Sequence, residues 1–138
     1  TGRARQGSIV APQYVGGGVV FAKKPRDFSQ KINKNMKTAA FYSALSEKLR
    51  QSEVVVLDKF ALEETKTKLV ANAVKALSLN GKTLFVLGEY DQDALKASKN
   101  IPTVDVCEAR TLSVYDVVAT KNIVITVDAL KKLEEAAQ

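Results

Sequence analysis

The sequence predicts an α/β fold: a mostly parallel sheet with helices on its faces, plus an extended, irregular basic arm at the N-terminus. Three observations predict it. Short, continuous apolar runs at residues 54–57 and 83–87 are bounded by polar residues or glycine, as strands buried on both faces require, and 104–107 and 123–127 read as a third and a fourth strand. Helical patterns alternate with these runs, which implies right-handed crossovers and parallel neighbours. Five of the seven glycines fall before residue 19, ahead of any periodic pattern.

The arm is assigned to residues 1–30 and the globular α/β domain to residues 31–138. Within the arm, Gly2, Gly7, Gly16, Gly17 and Gly18 are interleaved with Arg3, Arg5, Pro12 and Tyr14, with neither helical nor strand periodicity. Glycine-rich backbone loses much entropy on ordering, and the arm has few contiguous apolar residues, so it is expected to be mobile alone and to order against a partner. From Asn33 onward, Met36, Ala39, Ala40, Ser43, Ala44 and Leu49 recur at helical spacing. Lys34, Lys37, Lys48 and Arg50 lie off that face or along its rim, which predicts an amphipathic helix with a basic side.

Between the strands the spacing predicts helices over 66–79, from the cap Asp91 to about 99, over 113–119, and from the cap Asp128 through 137. The capping carboxylates would accept hydrogen bonds from otherwise unpaired amides. No repeat appears at solenoid periods, and the composition breaks only near residue 30.

At 138 residues the chain has room for one domain plus an extension. A formal charge of +6 favours a polyanionic partner, and its distribution is sharper than its total. Residues 1–50 hold ten Lys/Arg against Asp27 and Glu47, whereas residues 51–138 hold eleven against thirteen Asp/Glu. The whole excess of positive charge therefore lies in the first third.

The single cysteine, Cys107, has no partner for an internal disulfide, and the opening TGRARQGS has no apolar core of a secretory signal. No run reaches membrane-spanning length, so the expected location is the cytoplasm, with no membrane partner. The chain lacks His and Trp, which removes the commonest general base and metal ligand. No metal and no cofactor are expected.

Thr1-Gly2-Arg3-Ala4-Arg5-Gln6-Gly7-Ser8 sets two guanidinium groups two residues apart on a backbone of little bulk. Arginine pairs with phosphate bidentately or stacks on bases, and glycine admits close approach of the main chain to nucleic acid. A solvated basic tail is the plainer reading, and the rest of the arm decides between them. Gly16-Gly17-Gly18 is followed by Val19-Val20-Phe21 and then by Lys23-Lys24-Pro25-Arg26-Asp27-Phe28, an apolar grip and a cationic cluster that a linker does not need. The triple glycine matches neither GxGxxG nor GxxxxGK[ST]. Tyr14, Phe21 and Phe28 are candidates to stack on bases, with a packing role favoured for Phe28.

Two rivals remain on the residues alone. Asp58 after the first strand, and Glu89, Tyr90, Asp91 and Asp93 after the second, stand where open α/β sheets place ligands, so a doubly wound enzyme would use Asp58 and Asp91. Yet Asp91 is explained as a helix cap, and Cys107 in an apolar strand without a His reads as a core residue. The other rival is a regulator that binds through a disordered basic tail of no fixed shape.

TGRARQGS, then APQYVGGGVVFAKKPRDFSQKINKNMK, then a helix ending in SALSEKLR resemble the bacterial form of the large-subunit ribosomal protein L-four family. The resemblance implies no enzyme activity. It implies a structural constituent of the large ribosomal subunit that binds several domains of the large-subunit ribosomal RNA early in assembly. Its other partners would be neighbouring ribosomal proteins and the nascent peptide. The tip of the family's loop, corresponding to Thr1, Gly2, Arg3, Ala4 and Arg5, would form part of the peptide exit tunnel. The returning arm would run from Gln6 to Phe21, through Gly7, Ser8, Tyr14, Gly16, Gly17 and Gly18, with Lys23, Lys24, Arg26, Lys31 and Lys34 on RNA near its base. Family members carry a sheet segment and an outgoing arm before this motif, so Thr1 is not expected to be a natural start. Tyr14-Val15 departs from the Trp-Arg often found before the glycines.

Overall fold

A computed structural model describes residues 2, 4–62 and 64–137. The chain divides into two units, residues 1–31 and residues 32–138.

The second unit carries the regular elements. Helix α1 (Lys34–Arg50) leads into β1 (Val54–Leu57), α2 (Thr67–Ala76) and β2 (Thr83–Leu87). Then come α3 (Gln92–Ser98), β3 (Val104–Glu108), a 3-10 turn (Ala109–Thr111), α4 (Val114–Ala119), β4 (Asn122–Thr126) and α5 (Val127–Ala137). The four strands form one parallel sheet in the order β1-β4-β2-β3. The α/β class expected from alternating apolar runs and helices is therefore the one observed. β2 is interior and every one of its residues is buried, which is why it reads as an unbroken apolar run.

Each face of the sheet has its own core. On one face Leu84, Val86, Ile123 and Ile125 pack with Val117 and Ala129, joined by Phe41, Leu45, Leu130 and Leu133 from α1 and α5. On the other, Phe85, Val124 and Val104 pack with Val70 and Ala97 from α2 and α3. Phe60 closes this second core, its ring 4.9 Å from that of Phe85. The arrangement is a three-layer sandwich, because the central strands β2 and β4 are apolar on both faces and must be covered on both sides.

Helix α1 differs from the expected pattern in which side faces inward. Phe41, Ala44 and Leu45 pack on the core, whereas Met36 and Leu49 are exposed. Phe41 and Leu45 bring more apolar surface than the alanines and serine of the expected face, so burial selects the stripe that contains them. Lys48, expected on the basic side, is instead tied to Glu53 at 2.7 Å and to the Lys121 carbonyl.

Helix ends show how local chemistry sets the boundaries. α1 and α2 close with Ser52 and Ser78 in the left-handed region, at φ 57° and 53°. The next residues return an N–H to an earlier carbonyl, Glu53 to Lys48 and Leu79 to Val74. This closure ends α2 at Ala76, three residues before the expected limit. Asp91 caps α3 as expected, accepting from the N–H groups of Asp93 and Ala94. Ser113 and Asp116 form a reciprocal capping box on α4. Asp128, expected as a cap, lies inside the first turn of α5, and the Thr126 hydroxyl accepts from the Ala129 N–H. Strand β4 passes into α5 without a linking residue, which moves the cap back by two positions.

Candidate nucleic-acid interface

Residues 4–33 contain turns but no helix or strand. The glycine content predicts little local order here, but Val10 to Gly18 closes on itself. Tyr14 donates its N–H to the Ala11 carbonyl, Gly17 to that of Tyr14, and Gly18 to that of Val10, all within 3.0 Å. Gly17 is where the turn needs glycine, since a Cβ there would fall on the Ala11 carbonyl oxygen. A side-chain bond from Gln13 Nε2 to Gln6 Oε1 (3.0 Å) draws the preceding stretch back against this turn. Tyr14 thereby lines a cleft of about 340 Å³ with Ala4, Gln6, Gly7, Ser8 and Ile9. Sequence reading missed Gln13 and Ala11, because contacts seven and six residues apart in a segment without periodicity leave no pattern.

Arg5, Lys23, Lys24, Arg26 and Lys31 are all exposed. Among the described residues none of them pairs with a carboxylate; the ion pairs found there lie in the second unit. Lys34 is exposed and opens α1. Thr1 and Arg3, two of the expected tip residues, lie outside the described residues. Asp27, the arm's single acidic residue, accepts from the N–H and hydroxyl of Ser29, which holds its carboxyl below the ordinary 3.8. It therefore remains charged and positions the turn that follows Arg26.

The aromatic residues divide. Phe21 is 94% exposed, and Phe28, for which packing is expected, is 74% exposed with the Arg26 guanidinium 4.3 Å above its ring. A cation over an aromatic face is held by the ring quadrupole, so Phe28 orients a cation instead of filling a core.

The carboxyl ends of the strands form a cleft of about 510 Å³, where the enzyme alternative would be sought. Lys59, Lys131 and Lys132 face Glu89, Asp128 and Glu135 there, so its charges oppose one another. Asp91 lines it but is engaged in capping α3, and Asp58 is not among its lining residues. Lys132 Nζ donates to the Gly88 carbonyl at 2.8 Å. Among the described residues no group of three potential metal ligands assembles, and no buried side-chain polar atom lacks a partner. Burial pushes the Cys107 thiol up to about 12, with Asp116 and Asp105 acting in the same direction. It is a poor nucleophile at neutral pH. No helix among the described residues is long and apolar enough to cross a membrane.

These features define a class: a three-layer α/β protein preceded by a glycine-rich segment of exposed cations. Comparison with known proteins narrows it. The model of the ribosomal protein L4/L1 family matches residues 1–136, and the chain belongs to this family. It is 44% identical over its full length to the large ribosomal subunit protein uL4 of Finegoldia magna, of which it covers 67%. It is 46% identical to that of Lachnospira eligens and 45% to that of Coxiella burnetii, each over 98% of the chain and 65% of the relative. The chain thus spans about two thirds of the length of these relatives.

Proposed function

We propose that this chain is a structural constituent of the large ribosomal subunit in the cytoplasm, and that it binds the large-subunit ribosomal RNA early in assembly. The N-terminal segment threads between RNA strands, neutralising phosphates with Arg3, Arg5, Lys23, Lys24, Arg26, Lys31 and Lys34. The tip, Thr1 to Arg5, forms part of the wall of the peptide exit tunnel and meets the nascent peptide. The α/β body anchors the arm at the subunit exterior beside neighbouring ribosomal proteins. It performs no catalytic step and takes no cofactor.

The observation that carries this reading is the separation of charge: six Lys/Arg against Asp27 within residues 1–31, on a chain whose last 88 residues are net acidic. Arg5, Lys23, Lys24, Arg26 and Lys31, exposed and without carboxylate partners among the described residues, are available to an external polyanion, and each phosphate contact releases a counterion from the nucleic acid. Membership of the ribosomal protein L4/L1 family supports the identity of that polyanion.

Chemical footprinting of large-subunit ribosomal RNA tests it. The native chain is expected to protect discrete sites, and the variant Arg3→Ala, Arg5→Ala, Lys23→Ala, Lys24→Ala to lose them. Protection of no site by either protein would overturn the proposal.

A further inference from the structure

The cleft beneath Tyr14 has the makings of a site of its own. It is lined by Ala4, Gln6, Gly7, Ser8, Ile9 and Tyr14, the last 37% exposed. Besides Tyr14, two polar side chains line it, and each keeps a donor free while its oxygen accepts one hydrogen bond. The Ser8 hydroxyl accepts the Val10 N–H at 3.3 Å, leaving its own proton to donate. The Gln6 carboxamide oxygen accepts from Gln13, leaving its NH₂ group to donate. The cleft therefore offers hydrogen-bond donors beside an aromatic face, in a segment whose net charge is positive. About 340 Å³ lies at the small end of the range of roughly 300–1,000 Å³ for small-molecule sites.

We propose that this cleft receives one unpaired nucleobase of RNA, stacked on Tyr14 and held through its edge acceptors by Gln6 and Ser8. The inference rests on the RNA-binding reading above and adds a base-reading subsite to a segment otherwise engaged with phosphate. A donor-lined cleft selects an unstacked base, since single-stranded bases expose both a π-face and acceptor edges. Gly17 is its positioning residue. The turn that presents Tyr14 closes because no Cβ stands between Gly17 and Ala11. At Gly18, by contrast, a Cβ would meet only the Val10 carbonyl oxygen, at an ordinary 3.7 Å.

The test is the affinity of the 138-residue chain for deproteinised large-subunit ribosomal RNA, measured by filter binding across a salt series. Tyr14→Leu is expected to weaken binding about 5- to 150-fold, the worth of one stacked base. Its log–log salt slope should equal that of the native chain, because stacking releases no counterion. Tyr14→Phe should bind within about twofold of the native chain, since the ring face is kept. Gly17→Ala should lose as much as Tyr14→Leu. Native affinity in Tyr14→Leu or in Gly17→Ala, or a shallower slope in Tyr14→Leu, would overturn the subsite while leaving the RNA-binding reading intact. A native chain that binds with no salt dependence would instead overturn the RNA-binding reading itself.

Discussion

Gly88, one residue past β2, lies so close to the first turn of α5 that a Cβ on it would stand 2.9 Å from the Asp128 Cβ and 3.2 Å from the Ala129 nitrogen. The same glycine offers its carbonyl to Lys132 Nζ one turn further along the helix. Glycine is therefore required here by proximity: it lets the helix following β4 start against the end of the neighbouring strand.

Gly88→Ala is expected to destabilise the fold by about 1–3 kcal/mol, the usual cost of forcing an extra methyl into a packed site. Urea denaturation checks it: the midpoint should fall with the slope unchanged. A midpoint equal to that of the native chain would show that α5 shifts without cost.

Ser52 and Ser78 occupy left-handed backbone at the ends of α1 and α2, where a side chain costs about 1–2 kcal/mol relative to glycine. Ser52→Gly and Ser78→Gly are each expected to stabilise by about 0.5–1.5 kcal/mol, the remainder being offset by the greater freedom of glycine in the unfolded chain. Ser52→Val and Ser78→Val should move the thermal midpoint the other way, since a β-branched residue tolerates this conformation least.

Cys107 titrates near 9.0 in an unfolded chain and at about 12 in the folded one. Folding thus favours the protonated thiol. Its contribution to stability is fully present below pH 9 and is lost as pH rises from 9 to 12. At pH 8 the folded thiolate fraction is about 1,000-fold smaller than in the unfolded chain. The greater nucleophilicity of a high-pKa thiolate recovers only part of this. Alkylation by iodoacetamide should accordingly be at least about 30-fold slower in native protein than in denaturant. Equal rates would mean that the thiol is not shielded.

If about six cations of the arm contact phosphate, log affinity for RNA should fall with log salt at a slope of about −4 to −5. Lys23→Ala and Lys24→Ala should each reduce its magnitude by about 0.7–0.9. Lys132→Ala should leave it unchanged, because that ammonium is committed to Gly88 and Glu89. A reduction by Lys132→Ala equal to that by Lys23→Ala would place RNA on the body instead.

The class of the fold and the address of the charge were legible in neighbouring residues. Runs such as Thr83–Leu87 read as buried strands because both faces of β2 are covered, and Asp91 announced its helix through hydrogen bonds to amides two and three residues away. The excess cations stood in the first third whatever the fold. What depended on distant partners appeared only in the folded chain. Folding chose the Phe41–Leu45 stripe of α1 over the expected face, tied Lys48 to Glu53, placed β4 between β1 and β2, and made Gly88 a contact between a strand and a helix forty residues apart. In the arm it brought Gln13 to Gln6 and Gly17 to Ala11, and so made a cleft where the composition indicated only loose chain. Local hydrogen bonding and burial period are written in neighbouring residues, whereas close approach between distant ones arises only when the chain has folded.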